Sequence, residues 1–488
     1  MRVSGFVLVV LATLVAAATA DAARFLVVYR GQDVPRDAGG QISRAGGTLV
    51  KAYDRIGVAV ADSSDPAFLE RLDGRSLVAS VGNLGEVEGG RGNLLGPRVG
   101  RLANEPATDE DPFSPLQWDM GRIHVQAAHA ITGGSPSVLV ADLDTGVDYA
   151  HPELRDNLDL AKSVSCLDGV PNQAPDVNGN LPFGDTNGHG THTAGTIMAA
   201  DNGRGIVGVA PNVRLAAVKV VDAQGMIFPE TVVCGYMWAA THGVDVVNTS
   251  FGIDKRVKDP ARPERDRFYC LDDPAERAVI AAVNRAANFA IRHRVTLVAS
   301  AGNNNTDLAN PPAGNQCLRL PVELPDVIGV SSTTRNGQLT FNSNYGLGVI
   351  DVAAPGGDSA EEPPPDGLVL STLPTAIPAR PPFILADDLG GKYGYAFGTS
   401  QAAPHVTGVA ALIVSRYGDE DGLDPGRVER ILEVTAQPIA CPPNPYTRVV
   451  GGMTFTATYS GRDDFNGFFG HGEVDALAAL QVDRPGRP

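Results

Sequence analysis

The chain has 488 residues, of which 43% are apolar and 19% charged, an ordinary composition for a folded protein and not that of a disordered one. Its formal net charge of −17 opposes any phosphate-gripping surface, so nucleic acid and anionic lipid are excluded as partners. The length accommodates one large α/β domain with a small companion.

Arg2 is followed by an apolar run from Val3 to Ala18 and then by small residues through Ala20, Ala22 and Ala23. That is the layout of a secretory signal, expected over residues 1–22. The run falls short of the roughly 20 apolar residues that span a bilayer, and no later segment is long and apolar enough to cross. The mature chain is therefore expected outside the cytoplasm, extracellular or periplasmic, as a soluble monomer.

Residues 23–88 read as a small α+β unit. "RFLVVYRG" is a strand, "GTLVKAYDRIGVAVADSS" supplies two more around a turn, and "DPAFLERLDG" is a short helix with an Asp cap. Residues 89–111 are rich in Gly, Pro and charge without a period and read as a linker. From 112 to 482 the pattern changes. Short β-branched runs ("SVLVADLD", "RLAAVKVVD", "VDVVNTS", "VTLVASAG", "DVIGVSS") alternate with helical stretches such as "TVVCGYMWAATHG" and "AERAVIAAVNRAANFAIRH". Strands of this kind between helices predict an α/β fold, three-layer αβα around a mainly parallel sheet. Pro- and charge-rich stretches at 253–276 and 357–392 read as surface insertions, and 483–488 as a tail.

Five cysteines fit an oxidising compartment. Cys270 and Cys317 flank one candidate site segment in loop-like surroundings and are expected to pair. Cys234 sits in a helical pattern and reads as a buried apolar filler. No CxxC or Cys/His cluster appears, which argues against zinc.

Four segments carry chemistry. In "VLVADLDTGVDYAHPEL" an apolar strand ends at Asp144, where Thr145-Gly146 turns the chain, so the carboxylate projects into the crevice at the strand ends. In "GDTNGHGTHTAGTI" glycines bracket His189 at the start of a tightly packed helix. His192 lies three residues on and shares a helix face, which raises a metallohydrolase reading; HExxH is absent and no third ligand follows. In "YAFGTSQAAPHVTGVAALIV" Ser400 opens a helix, with backbone N–H groups and the positive dipole end beside its hydroxyl. In "VTLVASAGNNNTD" a strand ends at Ala301-Gly302-Asn303, placing an amide at the same crevice.

Together these segments resemble the subtilisin-like serine proteases. The family signatures D-[ST]-G, H-G-T-H and G-T-S-x-A-x-P stand here as Asp144-Thr145-Gly146, His189-Gly190-Thr191-His192 and Gly398-Thr399-Ser400-Gln401-Ala402-Ala403-Pro404. Their chain order is that of subtilisin and belongs to the resemblance. "GIVGVAP", "VDVVNTSFG", "DVAAPGG" and "GHGEVDALAAL" extend it over residues 112–480. Asp142 departs from the family, and period 2 puts it on the same side as Asp144; the D-T-G context favours Asp144. Gln401 replaces the usual Met.

The resemblance implies a secreted serine endopeptidase acting on protein or peptide substrates, made as an autoprocessed zymogen. Asp144, His189 and Ser400 would form its triad, and the Asn303 amide with the Ser400 N–H its oxyanion donors. Gly225, Met226, Ile227, Ser250, Phe251 and Gly252 would be the edges receiving an extended peptide. Glu153 and Asn202 fall where relatives hold a structural calcium; the chemistry itself needs no cofactor. Residues 23–88 resemble the inhibitory propeptide, with a processing site in the linker. A catalytically inactive binding protein on the same fold would have lost a triad or oxyanion residue, and none is missing.

Overall fold

The computed structural model describes residues 22–72, 78–83, 111–253, 255, 261, 263–360 and 364–482. The expected signal except Ala22, the linker except Asp111, and the tail lie outside them.

The N-terminal unit is a four-stranded antiparallel sheet: β1 (Ala23–Tyr29), β2 (Thr48–Tyr53), β3 (Val58–Ser63) and β4 (Val78–Asn83), in the order β2-β3-β1-β4. Alternation along β1 divides its apolar residues between two cores. Phe25, Val27 and Tyr29 pack with Ile42 of α1 (Ala38–Arg44) and with Phe68 and Leu72 of α2 (Phe68–Leu72). Leu26 and Val28, with Tyr53, Ile56, Val58 and Val60, join the core of the large domain instead. Helix α1 has no apolar period, because two of its seven residues are glycine, and the sequence reading missed it.

Two short helices, α3 (Trp118–Arg122) and α4 (Val125–His129), lead into the large domain. Its strands are β5 (Leu139–Asp144), β6 (Val164–Ser165), β7 (Arg214–Lys219), β8 (Val246–Thr249), β10 (Thr296–Ser300), β12 (Val327–Thr333) and β13 (Val352–Pro355). They form one sheet in the order β13-β12-β10-β8-β5-β7-β6, with every neighbouring pair parallel. One face, including Leu139, Ala141 and Leu143, packs on α6 (Pro229–Thr241) and α7 (Pro274–Arg292). The other, including Val140, Val298 and Val330, packs on α5 (His189–Met198), α8 (Thr399–Tyr417) and α9 (Pro425–Thr435). The fold is three-layer αβα, and both sheet faces are covered, as parallel strands require.

The small unit docks beside α6 and α7. Tyr53 Oη donates to the Gly169 carbonyl at 2.6 Å and Arg24 Nη1 to the Asp168 carbonyl at 2.8 Å. Arg285 Nη1 on α7 donates to the carbonyls of Tyr29 (2.9 Å) and Ile56 (3.1 Å). Nearly all of the second face of β1 and β3 is thereby dry.

Cys270 of β9 (Tyr269–Cys270) is bonded to Cys317 of β11 (Cys317–Leu318), directly across a two-residue antiparallel ladder. Cys234 is not a free apolar filler: it forms a second disulfide with Cys166, an ordinary Cα–Cα reach of 5.6 Å across 68 positions that no local pattern reveals. Cys441 is the free cysteine. The stretch 357–392 is also more than a surface insertion. It contains β14 (Val369–Leu373), four of whose five residues are buried, paired with β16 (Lys392–Ala396), itself paired with β15 (Ile384–Ala386). Ser371 and Thr372 donate to the carbonyls of His192 and Thr191 on α5 (2.7 and 2.6 Å). In 253–276 likewise, Phe268, Tyr269 and Cys270 are buried. Among the described residues no helix is long and apolar enough to cross a membrane.

Candidate active site

Asp144 is the last residue of β5 and only 1% exposed. Its Oδ1 accepts the Thr145 N–H at 2.7 Å, and both oxygens lie within hydrogen-bonding reach of His189 Nδ1, at 2.8 and 2.9 Å. His189 opens α5, whose first turn is clamped by Asp185: one oxygen accepts the Thr145 hydroxyl (2.9 Å), the other the Thr191 N–H (3.0 Å). The glycine after the histidine has a steric cause. A Cβ on Gly190 would stand 2.2 Å from the Gly146 carbonyl oxygen. Burial of the imidazole opposes its charge, but Asp144 outweighs this and holds the pKa above the ordinary histidine value. The side chain keeps 33% of its surface open, so solvent screens part of that effect.

Ser400 lies in the first turn of α8. Gly398 caps the helix at φ +129°, and a Cβ there would come 2.9 Å from Asn303 Oδ1. That oxygen accepts the Thr399 N–H at 2.9 Å, which turns the Asn303 Nδ2 group the other way on an exposed side chain. The Gln401 N–H goes to the Gly398 carbonyl. Among the described residues the Ser400 N–H between them has no acceptor. Pro404 has no N–H to give the carbonyl four residues back, and the Ser250 hydroxyl supplies the missing bond to the Ser400 carbonyl at 3.0 Å. The Ser400 hydroxyl in turn donates to the Ser250 carbonyl at 2.8 Å. Its single proton is therefore directed at Ser250 and not at His189 in this state.

Asp142 is fully buried on the same side of β5 as Asp144. It accepts the Thr193 hydroxyl of α5 at 2.7 Å and the Asn248 amide of β8 at 2.8 Å. Burial first, and the Asp144 charge second, raise its pKa well above the carboxylate range. Asn248 also donates to Ser250 Oγ at 3.0 Å and accepts the Thr407 hydroxyl of α8 at 3.1 Å. One buried network thus joins the carboxylate strand, the histidine helix and the serine helix.

The other expected residues divide. Ser250 is in the site, and Phe251 and Gly252 continue from it. Gly225, Met226 and Ile227 lie on the loop after β7, beside β5, where Met226 spends its N–H and carbonyl on Asp222. That leaves less backbone free for a guest strand than the sequence implied. His192 points away from His189: it is buried, its Nε2 faces the Gly394 carbonyl at 3.1 Å, and burial lowers its pKa to about 3. The two rings do not share a metal position. A cavity of about 820 Å³ lined by Trp118, Arg122, His124 and Arg335 shares no residue with this cluster.

Glu153 and Asn202 do come together, with Asn202 Nδ2 donating to Glu153 Oε2 at 3.0 Å. A third residue joins them that sequence reasoning had left in the linker. Asp111 is buried, neither of its oxygens meets a hydrogen-bond partner, and the backbone of Gly203 and Asn202 is close enough to favour its charge. Burial pushes Asp111 up to about 6 and Glu153 up to about 8, each aggravated by a neighbouring carboxylate. Buried carboxylates of this kind suit a hard divalent cation, although here the Glu153 oxygens accept the Tyr393 hydroxyl at 2.8 Å and the Asn202 amide N–H.

Known proteins resemble this chain over most of its length. A family model described as "Subtilase family" matches residues 135–472. A thermophilic serine proteinase of Bacillus sp. (strain AK1) is 29% identical over 397 residues, covering 80% of this chain and 79% of that protein. A thermostable alkaline protease of Halalkalibacterium halodurans is 33% identical over 304 residues, 62% of this chain and 63% of its own length. The crystal structure of the epidermin leader peptide processing serine protease of Staphylococcus aureus superposes with a TM-score of 0.69 at 21% identity, covering 95% of this chain and 98% of that one. At that identity the likeness speaks to fold alone.

Proposed function

Since the chain belongs to the subtilase family of serine endopeptidases, we propose that Asp144, His189 and Ser400 are its catalytic triad and hydrolyse peptide bonds through an acyl-enzyme. The observation that carries this is the two-pronged approach of His189 Nδ1 to the buried Asp144 carboxylate, at 2.8 and 2.9 Å. It fixes the tautomer with the proton on Nδ1, leaving Nε2 as the base.

A substrate strand arriving along Ser250–Gly252 draws the Ser400 hydroxyl off the Ser250 carbonyl and toward Nε2. Ser400 Oγ then attacks the carbonyl carbon as His189 takes the proton, and Asp144 stabilises the imidazolium without accepting it. The oxyanion is received by the Ser400 N–H and the Asn303 amide. His189 next protonates the leaving amine, and water repeats the sequence to release the acid. Ser400→Ala, cut in its linker by added protease and repurified, should show no casein hydrolysis and no labelling by phenylmethanesulfonyl fluoride; wild-type turnover in that variant would end the assignment.

Residues 23–88 are, in this reading, a propeptide that occludes the enzyme until the enzyme cuts the linker 89–111, and residues 1–22 direct secretion. Supporting this are the apolar core shared with α6 and α7, the charged start and apolar run, and two disulfides of an oxidising compartment. Wild type should therefore shorten on a denaturing gel while Ser400→Ala stays full length. A structural calcium would be held by Glu153, Asp111 and Asn202, tying the residues before α3 to the domain without entering the chemistry.

A further inference from the structure

We infer that Lys219 is a positioning residue for the Asp144–His189 pair: it fastens the Gly184 peptide against which the pair is stacked, and it sets a positive charge among the carboxylates around the imidazole. The inference rests on the catalytic reading above and adds a residue to its machinery.

β5 and β7 are parallel neighbours, and Asp144 and Lys219, the last residue of each, stand opposite one another. Side chains alternate along a strand, and residues opposite one another share a face. Val140 of β5 and Leu215 and Ala217 of β7 belong to the core that packs on α5. Asp142, Asp144 and Lys219 are in step with them and so leave the sheet toward the histidine helix. A lysine is out of pattern there. The four residues before it are apolar and buried, and Lys219 is itself only 7% exposed.

Its Nζ donates to the Gly184 carbonyl at 2.9 Å, and that peptide is the base of a short stack. A Cβ on Gly146 would fall 2.3 Å from the Phe183 carbonyl oxygen and 3.0 Å from that of Gly184. One on Gly190 would fall 2.2 Å from the Gly146 carbonyl oxygen. The turn after Asp144 therefore rests on residues 183–184, and the residue after His189 rests on that turn. Asp185, next in the chain, clamps the first turn of α5. Lys219 thus fastens at one point the segment that places both members of the pair.

The charge adds to the bond. Burial opposes the charge of His189, and Asp144, Asp142 and Asp185 outweigh it; His192, the second histidine of α5, is held neutral by burial. Burial also opposes the Lys219 charge, while Asp185, Asp144 and Asp222 on the loop after β7 favour it. Because the hydrogen bond goes to a carbonyl, the ammonium acts on those acids through space. It offsets part of their pull on His189, so more of the imidazole is neutral and able to take the Ser400 proton at a given pH.

The test follows kcat/KM against pH on one peptide p-nitroanilide for self-processed wild type, Lys219→Met, Lys219→Gln and Lys219→Arg. A variant slow to process itself has its linker cut by added protease and is repurified. Met removes charge and donor at similar volume. We expect its acid limb to move up by about 0.5 to 1 pH unit, the size of one nearby charge. Its plateau kcat should fall about 10-fold or more as the pair loses alignment. Gln should move the limb as far, and Arg, which keeps the charge, should hold it at the wild-type position. A limb unmoved in Met and Gln overturns the inference even where kcat or melting temperature falls, because a merely structural lysine would do that much. An Arg limb displaced as far as theirs overturns it too. If Met does not melt cooperatively, the Gln limb decides in its place. A wild type that cleaves neither the anilide nor casein counts against the catalytic reading instead.

Discussion

Asp142 accepts the Asn248 amide at 2.8 Å with both side chains fully buried, and from Asn248 the hydrogen bonds run on to Ser250 and the Ser400 carbonyl. An acid one turn of the pleat away from Asp144 is therefore part of the frame that sets the distance between histidine and serine.

The frame has a pH signature. A carboxyl whose folded pKa is raised holds its proton more tightly folded than unfolded, so its stabilising effect is full below about pH 4 and is lost as pH climbs toward the folded pKa. Asp142→Asn removes that loss and keeps partners, since Thr193 Oγ1 can accept from an amide. In a Ser400→Ala background, the melting temperature of Asp142→Asn relative to its parent should rise steadily from about pH 5 to about pH 9. A flat or falling difference would show that Asp142 does not carry the buried proton.

Activity should respond at the other end of the same pair of charges. His189 must be neutral to act as base, and Asp144, with a smaller effect of Asp142, keeps it charged to higher pH than a free imidazole. The acid limb of kcat/KM should lie above the usual histidine value of about 6.5 and shift downward in Asp142→Asn. An unmoved limb in that variant would remove Asp142 from the electrostatics of the base.

At Asn303 two substitutions separate position from donation. Asn303→Asp retains the oxygen that accepts the Thr399 N–H but loses the Nδ2 donor and adds a charge repelling the oxyanion. Asn303→Leu loses both. Each should lower kcat by about 10²- to 10³-fold or more, the loss seen when such a donor is removed from subtilisin itself, with KM little changed. Asn303→Leu alone should also soften the start of α8, seen as faster amide exchange at Thr399. Full kcat in Asn303→Asp would rule the amide out.

Cation removal is expected to matter more as pH rises. Without a bound ion burial pushes Asp111 up to about 6 and Glu153 up to about 8, so their proton-linked stability is lost from about pH 4 upward, progressively until pH passes those values, while an ion would hold both as stable carboxylates. The drop in melting temperature on adding EDTA should be small at about pH 5 and large at about pH 9, and absent in Asp111→Asn/Glu153→Gln. Equal melting with and without EDTA at high pH would dismiss the site.

What the sequence disclosed follows from what its motifs physically are. The glycines in H-G-T-H and G-T-S mark close approaches of the backbone, at Gly190 to the Gly146 carbonyl and at Gly398 to the Asn303 side chain, though the motifs do not name those neighbours. The alternation of β5 put Asp142 and Asp144 together before any coordinates did. Other features have no local mark. Asp111 sits in a stretch without period, and only the fold brings it to Glu153. The Cys166–Cys234 bond depends on the approach of a loop to α6, and an apolar helical pattern around Cys234 conceals it. β14 lay unread between prolines because its burial is supplied by α5, almost two hundred positions earlier.

Shared packing between the N-terminal sheet and α7 makes separation of the two lopsided. Cut loose, the large domain retains its own sheet and five flanking helices, while the small sheet is left with the cluster around Ile42, Phe68 and Leu72 and a bare greasy face. A fragment of that size, stripped of half its apolar support, unfolds readily, and an unfolded chain beside a protease is food. For the proposed propeptide, release would then work as a ratchet: the first molecules freed would digest the brake that could have stopped the rest.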